Sequence, residues 1–146
     1  MDRKIPPFRA DMVGSLLRTA PLKEARRQRI QGLIDDAALK RVEDDEIRAL
    51  IKRQEAIGLR AVTDGEFRRA FWHFDFLENL SGVKGYDGAA GIQFKGVTTK
   101  AHGVKVTGKL DFPASHPHLA HFKYLKSVTS AGHVPKMTIP SPSMLH

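Results

Sequence analysis

The chain has 146 residues, 41% of them hydrophobic, with a formal net charge of +8 at pH 7 and no cysteine. This composition predicts a soluble globular protein with one core, and the lack of cysteine excludes disulfides, thiolate nucleophiles and thiolate metal ligands. The sequence has no apolar run long enough to span a membrane and no signal-peptide core near its start, so we expect a cytoplasmic protein without a membrane partner.

The first predicted element is a short strand that ends at Val13, before a turn formed by Gly14 and Ser15. The backbone N–H groups of such a turn, together with the serine hydroxyl, can bind an anion such as a carboxylate. A plain turn is the alternative, because a single Gly-Ser pair is a weak signal.

Two amphipathic helices follow this turn. Thr19 and Pro21 favour the start of the first helix. Its apolar face is predicted to contain Leu22, Ala25, Ile30, Leu33 and the stem of Arg29. The second helix is predicted over residues 37–57, capped by Asp35 or Asp36 and stopped by a left-handed Gly58. Its apolar face is predicted to contain Ile47, Leu50, Ile51 and Ile57.

A buried strand over residues 59–63 ends abruptly in Asp64, Gly65 and Glu66. In α/β enzymes with parallel strands, the loops after the carboxyl ends of the strands carry the reactive groups. Gly65 permits a sharp turn that would direct Glu66 towards a ligand above the sheet. The alternative is a solvated carboxylate in the first turn of a helix predicted over residues 67–80.

The next part of the chain predicts an inserted β-hairpin. Residues 82–91 are glycine-rich and predicted to be irregular, and alternation then predicts a hairpin over about residues 92–112. Its apolar positions are Ile92, Phe94 and Val97 on one strand, and Val104, Val106, Leu110 and Phe112 on the other. Because two strands alone are marginally stable in water, we expect the hairpin to pack against the rest of the domain.

A last helix and strand complete the pattern. The helix begins at Ser115 or His116, followed by Pro117, and a buried strand over residues 134–139 precedes Ser141 and Ser143. Right-handed crossovers would make the three strands parallel and bring the polar residues after each strand to one rim. The prediction is therefore an α/β fold with about three parallel strands, either an open sheet or the first part of a TIM (β/α)8 barrel, which takes about 250 residues when closed.

Four segments in order carry a resemblance to a known family. They are residues 8–18 (Phe-Arg-Ala-Asp-Met-Val-Gly-Ser-Leu-Leu-Arg), 62–69 (Val-Thr-Asp-Gly-Glu-Phe-Arg-Arg), 72–75 (Trp-His-Phe-Asp) and 136–143 (Lys-Met-Thr-Ile-Pro-Ser-Pro-Ser). The chain resembles the cobalamin-independent methionine synthases, most closely the short single-barrel members. The resemblance implies one incomplete barrel domain over residues 1–146. It also implies a methyltransferase of methionine biosynthesis that transfers a methyl group from methyltetrahydrofolate, or a simpler donor, to a thiol such as homocysteine.

The resemblance also implies roles for individual residues. Val13, Gly14 and Ser15 match the turn that holds the homocysteine carboxylate, and Glu66 matches the glutamate that receives the amino group. Weaker candidates for ligand contacts are Asp64, Arg68, Arg69, Trp72, His73, Ser141 and Ser143. Two positions depart from the family pattern, since larger synthases have histidine at the position of Asp64 and many short members have it at that of Met12.

The family activates its thiol on a zinc ion held by His and Cys residues of later strands. The resemblance places these ligands outside this chain, so we predict no catalytic or metal-binding residue on the chain itself and no complete reaction by it alone. A metal cluster of His116, His118 and His121 is a minor alternative to histidines at a helix start and on the surface.

Several alternatives stay open from the sequence. Arg68 and Arg69 could bind an anionic group of a ligand, or one of them could pair with Glu66 or Asp64. Trp72 and Phe74 could stack on a pterin or belong to the core. The alternative function is a catalytically inactive truncated barrel that acts as a binding domain or a homo-oligomer covering its open sheet edge. Nucleic-acid binding ranks last, because the lysine-rich region after residue 84 lacks interleaved aromatic residues.

Overall fold

A computed structural model describes residues 5–6, 8, 10–88, 91, 93–98 and 101–145. The elements are α1 (Ala20–Ile30), α2 (Asp36–Ala56), β1 (Ala61–Val62), α3 (Phe74–Leu77), β2 (Ser81–Asp87), β3 (Gln93–Phe94), β4 (Val97–Thr98), β5 (His102–Asp111), α4 (Pro117–Val128), β6 (Val134–Pro135) and a 3-10 helix (Pro142–Leu145).

The chain divides into two compact units. The first unit contains the described residues up to Arg69 together with His121–Thr138, and the second contains Ala70–Ala120 and the described residues from Ile139 onwards. No helix in the described ranges combines the length and the hydropathy needed to cross a membrane.

The first two helices begin at the predicted caps. The Thr19 hydroxyl accepts a hydrogen bond from the backbone N–H of Leu22 at 3.4 Å, and the Asp35 carboxylate accepts one from Ala38 at 2.7 Å. Each cap satisfies a backbone donor that the first helical turn leaves unpaired. Gly58 follows α2 with a φ of 86°, which confirms the predicted left-handed stop.

The core of the first unit lies between these helices, β1 and α4. Its fully buried residues are Leu22, Ile47, Ile51, Val62, Phe67 and Leu125. Three residues predicted on the apolar helix faces, Ile30, Leu33 and Ile57, are instead 67% to 87% exposed. Ile30 is the last residue of α1, and Leu33 and Ile57 lie beyond the ends of α1 and α2.

The described sheet of this unit has two parallel strands, not three. β1 pairs with β6 in the register Ala61↔Val134 and Val62↔Pro135, and both strands are shorter than predicted. The described residues of the predicted strand before Val13, residues 8 and 10–13, form no strand. Instead, side chains satisfy its carbonyl groups, since Lys136 donates to Met12 and Thr138 donates to Val13. The α/β class is confirmed, and no closed barrel is present among the described residues.

The second unit contains a different hairpin from the predicted one. β5 pairs antiparallel with β2, so residues 81–87 form a strand where an irregular segment was predicted. Gly82 has a φ of 75° and lies at a register shift, so it marks a bulge within the strand. β3 and β4 form their own short hairpin around Gly96, whose φ is 82°. The predicted strand residue Ile92 lies outside the described residues.

The predicted helix over residues 67–80 is reduced to the four residues of α3. The Asp75 carboxylate accepts hydrogen bonds from the backbone N–H groups of Ala70 and Phe71 at 2.8 and 2.7 Å. These local bonds hold the preceding segment in turns and compete with helical hydrogen bonding. The helical spacing of the aromatic residues in this segment was therefore misleading.

Candidate functional site

Residues 64–69, called here the Glu66 loop, follow β1 and hold a buried carboxylate. Gly65 and Glu66 have φ values of 67° and 57°, and Glu66 is the described non-glycine residue with a positive φ. The Glu66 N–H donates to Asp64 Oδ1 at 2.9 Å. Glu66 is 5% exposed and Asp64 is 4% exposed. The alternative of a solvated carboxylate is therefore wrong, because Glu66 points into the protein.

The segment with Gly14 lies directly against this loop. Thr63 Oγ1 donates to the Gly14 carbonyl at 3.0 Å and accepts from the Gly65 N–H at 3.2 Å. A Cβ atom placed on Gly14 would lie 3.2 Å from Glu66 Oε1. The structure therefore brings together Gly14 and Glu66, which are far apart in the sequence. The neighbouring Ser15 and Val13 are exposed.

Arg69 is the buried counter-ion of Glu66. Arg69 Nη1 lies 3.4 Å from Glu66 Oε1, and Arg69 Nη2 donates to the Thr138 carbonyl at 2.5 Å. The side chains of Arg69 and Glu66 are 2% and 6% exposed. Of the alternatives left open for the two arginines, the structure shows pairing of Arg69 with Glu66. The Glu66 carboxylate of this pair lies beside Gly14, away from bulk water.

Arg68 points to α2 instead of towards Glu66. Its guanidinium pairs with Glu43 at 2.9 Å and with Asp44, and it lies 5.1 Å from the ring centroid of Tyr124. The Tyr124 hydroxyl donates to the Asp44 carbonyl at 2.6 Å, and burial raises the pKa of Tyr124. Both carboxylates that Arg68 contacts belong to the protein, so its geometry supports an internal role.

Sequence reasoning missed several polar residues of this site. Thr63 connects Gly14 to Gly65, and Thr138 contacts both the Val13 carbonyl and the space beside Gly14. Gln54 of α2 fixes Thr63 through two hydrogen bonds. The sequence signal that could have pointed to Thr138 is its place in the Lys-Met-Thr-Ile segment, directly before the Pro-Ser run.

The remaining ligand candidates belong to the second unit. Trp72 is 47% exposed, and its ring centroid lies 4.4 Å from that of His73. Burial lowers the pKa of His73, and the charge of Asp75 opposes this shift. The hydroxyls of Ser141 and Ser143 lie 2.9 Å apart and are exposed. Ligand contacts by these four residues stay a prediction.

The histidines near the start of α4 are structural. His116 and His118 are 2% and 4% exposed, so the expectation of surface histidines was wrong. His116 Nδ1 accepts from the backbone N–H of His118 at 3.2 Å, and its Nε2 donates to the Phe76 carbonyl at 3.0 Å. The His116 ring also stacks on Phe112 at 4.7 Å. These contacts hold the His116 ring in place just before the first residue of the helix.

Another histidine of the second unit joins two carboxylates. His102 Nδ1 lies 2.8 Å from Asp87 Oδ1, and His102 Nε2 contacts Glu78. The hydrogen bonds to Asp87 and Glu78 raise the pKa of His102. Nevertheless, the described ranges contain no group of three or more His, Cys, Asp or Glu residues arranged to hold a metal ion.

Comparison with curated proteins shows extensive similarity. YxjG of Bacillus subtilis (strain 168) is 54% identical over 145 residues, which is 99% of this chain and 38% of YxjG. The 5-methyltetrahydropteroyltriglutamate–homocysteine methyltransferase of Nitrobacter winogradskyi is 35% identical over 78 residues, or 53% of this chain and 10% of that enzyme. The chain thus spans less than two fifths of the length of these relatives. No family model matches the chain.

Solved structures of B12-independent methionine synthases are also similar to this chain. The "Putative Vitamin-B12 Independent Methionine Synthase" of Listeria monocytogenes matches with a TM-score of 0.82 and 44% identity, covering 99% of this chain and 39% of that chain. This chain is similar to part of a B12-independent methionine synthase. A B12-independent methionine synthase from Shewanella sp. W3-18-1, in complex with selenomethionine, shares the fold at a TM-score of 0.56 and 22% identity over 77% of this chain and 32% of its own. These matches support the resemblance to B12-independent methionine synthases, whereas assignment to the short single-barrel members stays a prediction.

Proposed function

We propose that the chain supplies the amino-acid-binding part of a methyltransferase of the B12-independent methionine synthase family. The reaction would move a methyl group from methyltetrahydrofolate, or a simpler donor, to a thiol such as homocysteine in the cytoplasm. The observation that carries the proposal is the buried Glu66 carboxylate beside the backbone of Gly14. The name of the Nitrobacter enzyme supports the reaction class and the homocysteine acceptor.

An amino acid offers one cation and one anion for recognition. In this proposal Glu66 receives the ammonium group, while the N–H groups of the Val13-Gly14-Ser15 turn and the Ser15 hydroxyl receive the carboxylate. Charge-assisted hydrogen bonds of this kind are about twice as strong as neutral ones. Gly14 suits the role because a side chain there would fill the space next to Glu66 Oε1.

The resemblance implies a zinc ion that lowers the pKa of the substrate thiol. The residues present do not fit such a site, because the chain has no cysteine and its described ranges hold no metal-binding cluster. We therefore propose that the zinc ligands lie outside this chain and assign no zinc-dependent step to its residues.

The test is the replacement of Glu66 by glutamine, which keeps the size of the side chain and removes its charge. We expect Glu66→Gln to weaken L-homocysteine binding at least about tenfold in isothermal titration calorimetry, since hydrogen bonds to charged groups contribute about 1.5–3 kcal/mol. Glu24→Gln is the matched control, because Glu24 contacts Arg27 on the surface of α1. Equal affinity of Glu66→Gln and the unmodified chain would remove Glu66 from the site.

A second candidate function is a binding or oligomerising domain. It is favoured by large apolar residues of the first unit that are 67% to 87% exposed: Val13, Leu17, Ile30, Leu33 and Ile57. Such exposure favours association with another apolar surface. Sedimentation equilibrium over a wide range of concentrations tests this function, with self-association expected to weaken in Ile30→Lys. A monomer at every concentration would argue against the homo-oligomer.

A further inference from the structure

The backbone of the Glu66 loop turns three carbonyl groups towards two arginines of the first unit. Arg26 Nη2 donates to the Phe67 carbonyl at 2.6 Å, and Arg26 Nη1 donates to the Arg69 carbonyl at 3.0 Å. Arg18 Nη2 donates to the Glu66 carbonyl at 3.2 Å and also contacts the Arg69 carbonyl. Two guanidinium groups thus bind three carbonyls of the loop, those of Glu66, Phe67 and Arg69.

These contacts compensate for an unfavourable backbone conformation. A left-handed glutamate is strained and persists only where the surroundings hold it. Hydrogen bonds from charged donors stabilise more than neutral ones do, so the contacts from Arg18 and Arg26 offset this strain. Phe67 also anchors the loop, because its side chain is fully buried in the core of the first unit.

The second helix holds Arg26 in place. Glu43 of α2 lies 3.8 Å from Arg26 and 2.9 Å from Arg68, which is the residue between the two carbonyls that Arg26 contacts. The Glu43 side chain is only 12% exposed. Helices α1 and α2 are therefore connected to the Glu66 loop by charged groups largely shielded from water.

We propose that Arg18 and Arg26 are positioning residues, which hold the Glu66 loop so that the carboxylate faces the ligand ammonium. The inference rests on the proposed function and deepens it, because it assigns a role in ligand affinity to residues that do not themselves contact the ligand. Without these arginines, the loop relaxes towards common backbone conformations and the Glu66 carboxylate turns away from Gly14.

The test compares two ligands that differ only in the ammonium group. Binding of L-methionine and of its deamino analogue is measured by calorimetry for the unmodified chain, Arg26→Met, Arg26→Lys and Arg18→Met. We expect Arg26→Met to weaken L-methionine binding about tenfold and to change binding of the deamino analogue less than twofold. Arg26→Lys should recover part of the loss. Arg27→Met is the control, because Arg27 on the same helix contacts Glu24 and Gln31 at the surface.

Equal losses for both ligands, or no loss for either, would overturn the positioning role. Amide hydrogen exchange at Phe67 and Arg69, whose N–H groups donate to the carbonyls of Asp64 and Glu66, provides a readout without ligand. We expect exchange there to rise at least about tenfold in Arg26→Met, and unchanged exchange would also overturn the role. If the unmodified chain binds neither ligand, the proposed function fails, while the exchange measurement still decides whether the arginines hold the loop. Arg18→Met and Arg26→Lys keep the test available if Arg26→Met does not fold.

Discussion

Gly14 is the residue at which the smallest change has the largest expected effect. A Cβ atom there would lie 2.3 Å from Thr138 Oγ1 and 3.2 Å from Glu66 Oε1. We therefore expect Gly14→Ala to lower the free energy of unfolding by about 1–3 kcal/mol, as overpacking does elsewhere. It should also abolish measurable homocysteine binding. Urea unfolding and calorimetry check the two effects.

Two further variants identify the cause of the effect at Gly14. In Gly14→Ala/Thr138→Ala the clashing hydroxyl is absent, so part of the lost stability should return. Gly108→Ala is the control, because the nearest atom to a Cβ there is 3.8 Å away. A Gly14→Ala protein of unchanged stability and affinity would contradict the close packing of Gly14 against Thr138.

Among the elements, α2 is joined to the end of β1 by one buried side chain. Gln54 Nε2 donates to the Thr63 carbonyl at 2.8 Å, and Gln54 Oε1 accepts from the Thr63 N–H at 3.0 Å. Gln54→Met would leave both backbone groups without these partners in a buried position. Since each of the two unsatisfied groups costs about 1–3 kcal/mol, we expect a loss of about 2–6 kcal/mol in urea unfolding.

The exposed Gln31, just after α1, provides the control for this variant. Gln31→Met should stay within about 0.5 kcal/mol of the unmodified chain, as surface substitutions usually do. If Gln54→Met also lowers the free energy of unfolding by no more than about 0.5 kcal/mol, the backbone groups of Thr63 have found other hydrogen-bond partners.

The β2–β5 hairpin should have a stability that depends on pH. His102 has a raised pKa because Asp87 and Glu78 bind its protonated form. Protonated His102 therefore contributes its full stabilisation below its unfolded-state pKa of about 6.5, and the contribution disappears as the pH rises through the higher folded-state pKa.

Unfolding of the unmodified chain and of His102→Gln, measured from about pH 5.5 to about pH 8.5, checks this sign. Because folded His102 loses its proton as the pH rises through its raised pKa, the difference in unfolding free energy should shrink over that range. A difference that is constant or grows with pH would contradict the raised pKa.

At the scale of the whole molecule, the sequence predicted helices better than strand partners. Thr19 and Asp35 cap helices through local contacts, which short sequence patterns reveal. The pairing of β5 with β2 was not predicted, because Gly82 and Gly85 make the sequence of β2 look irregular. Gly82 forms the bulge, and Gly85 leaves room for the Glu78 carboxylate, which lies 2.8 Å from a Cβ placed there.

The candidate site was predicted in part for a similar reason. Gly14 and Glu66 belong to motifs that can be recognised along the chain, whereas the contacts of Arg18 and Arg26 join side chains to distant carbonyls. Such contacts follow no periodic pattern, so only the folded chain reveals them. The left-handed conformation of Glu66 was also unpredictable, because glutamate rarely adopts it without tertiary support.

The contact between Thr138 and Val13 joins residues 125 positions apart. Contacts between such distant residues close long loops, and the entropy lost in closing them is recovered only when the contacts form. During synthesis, a ribosome exposes Gly14 and Glu66 before residues 134–138 can reach them. The contacts of Lys136 and Thr138 with the segment before Gly14 therefore cannot form until residues 134–138 have left the ribosome, so a ligand at the candidate site can stabilise only the folding steps after that point.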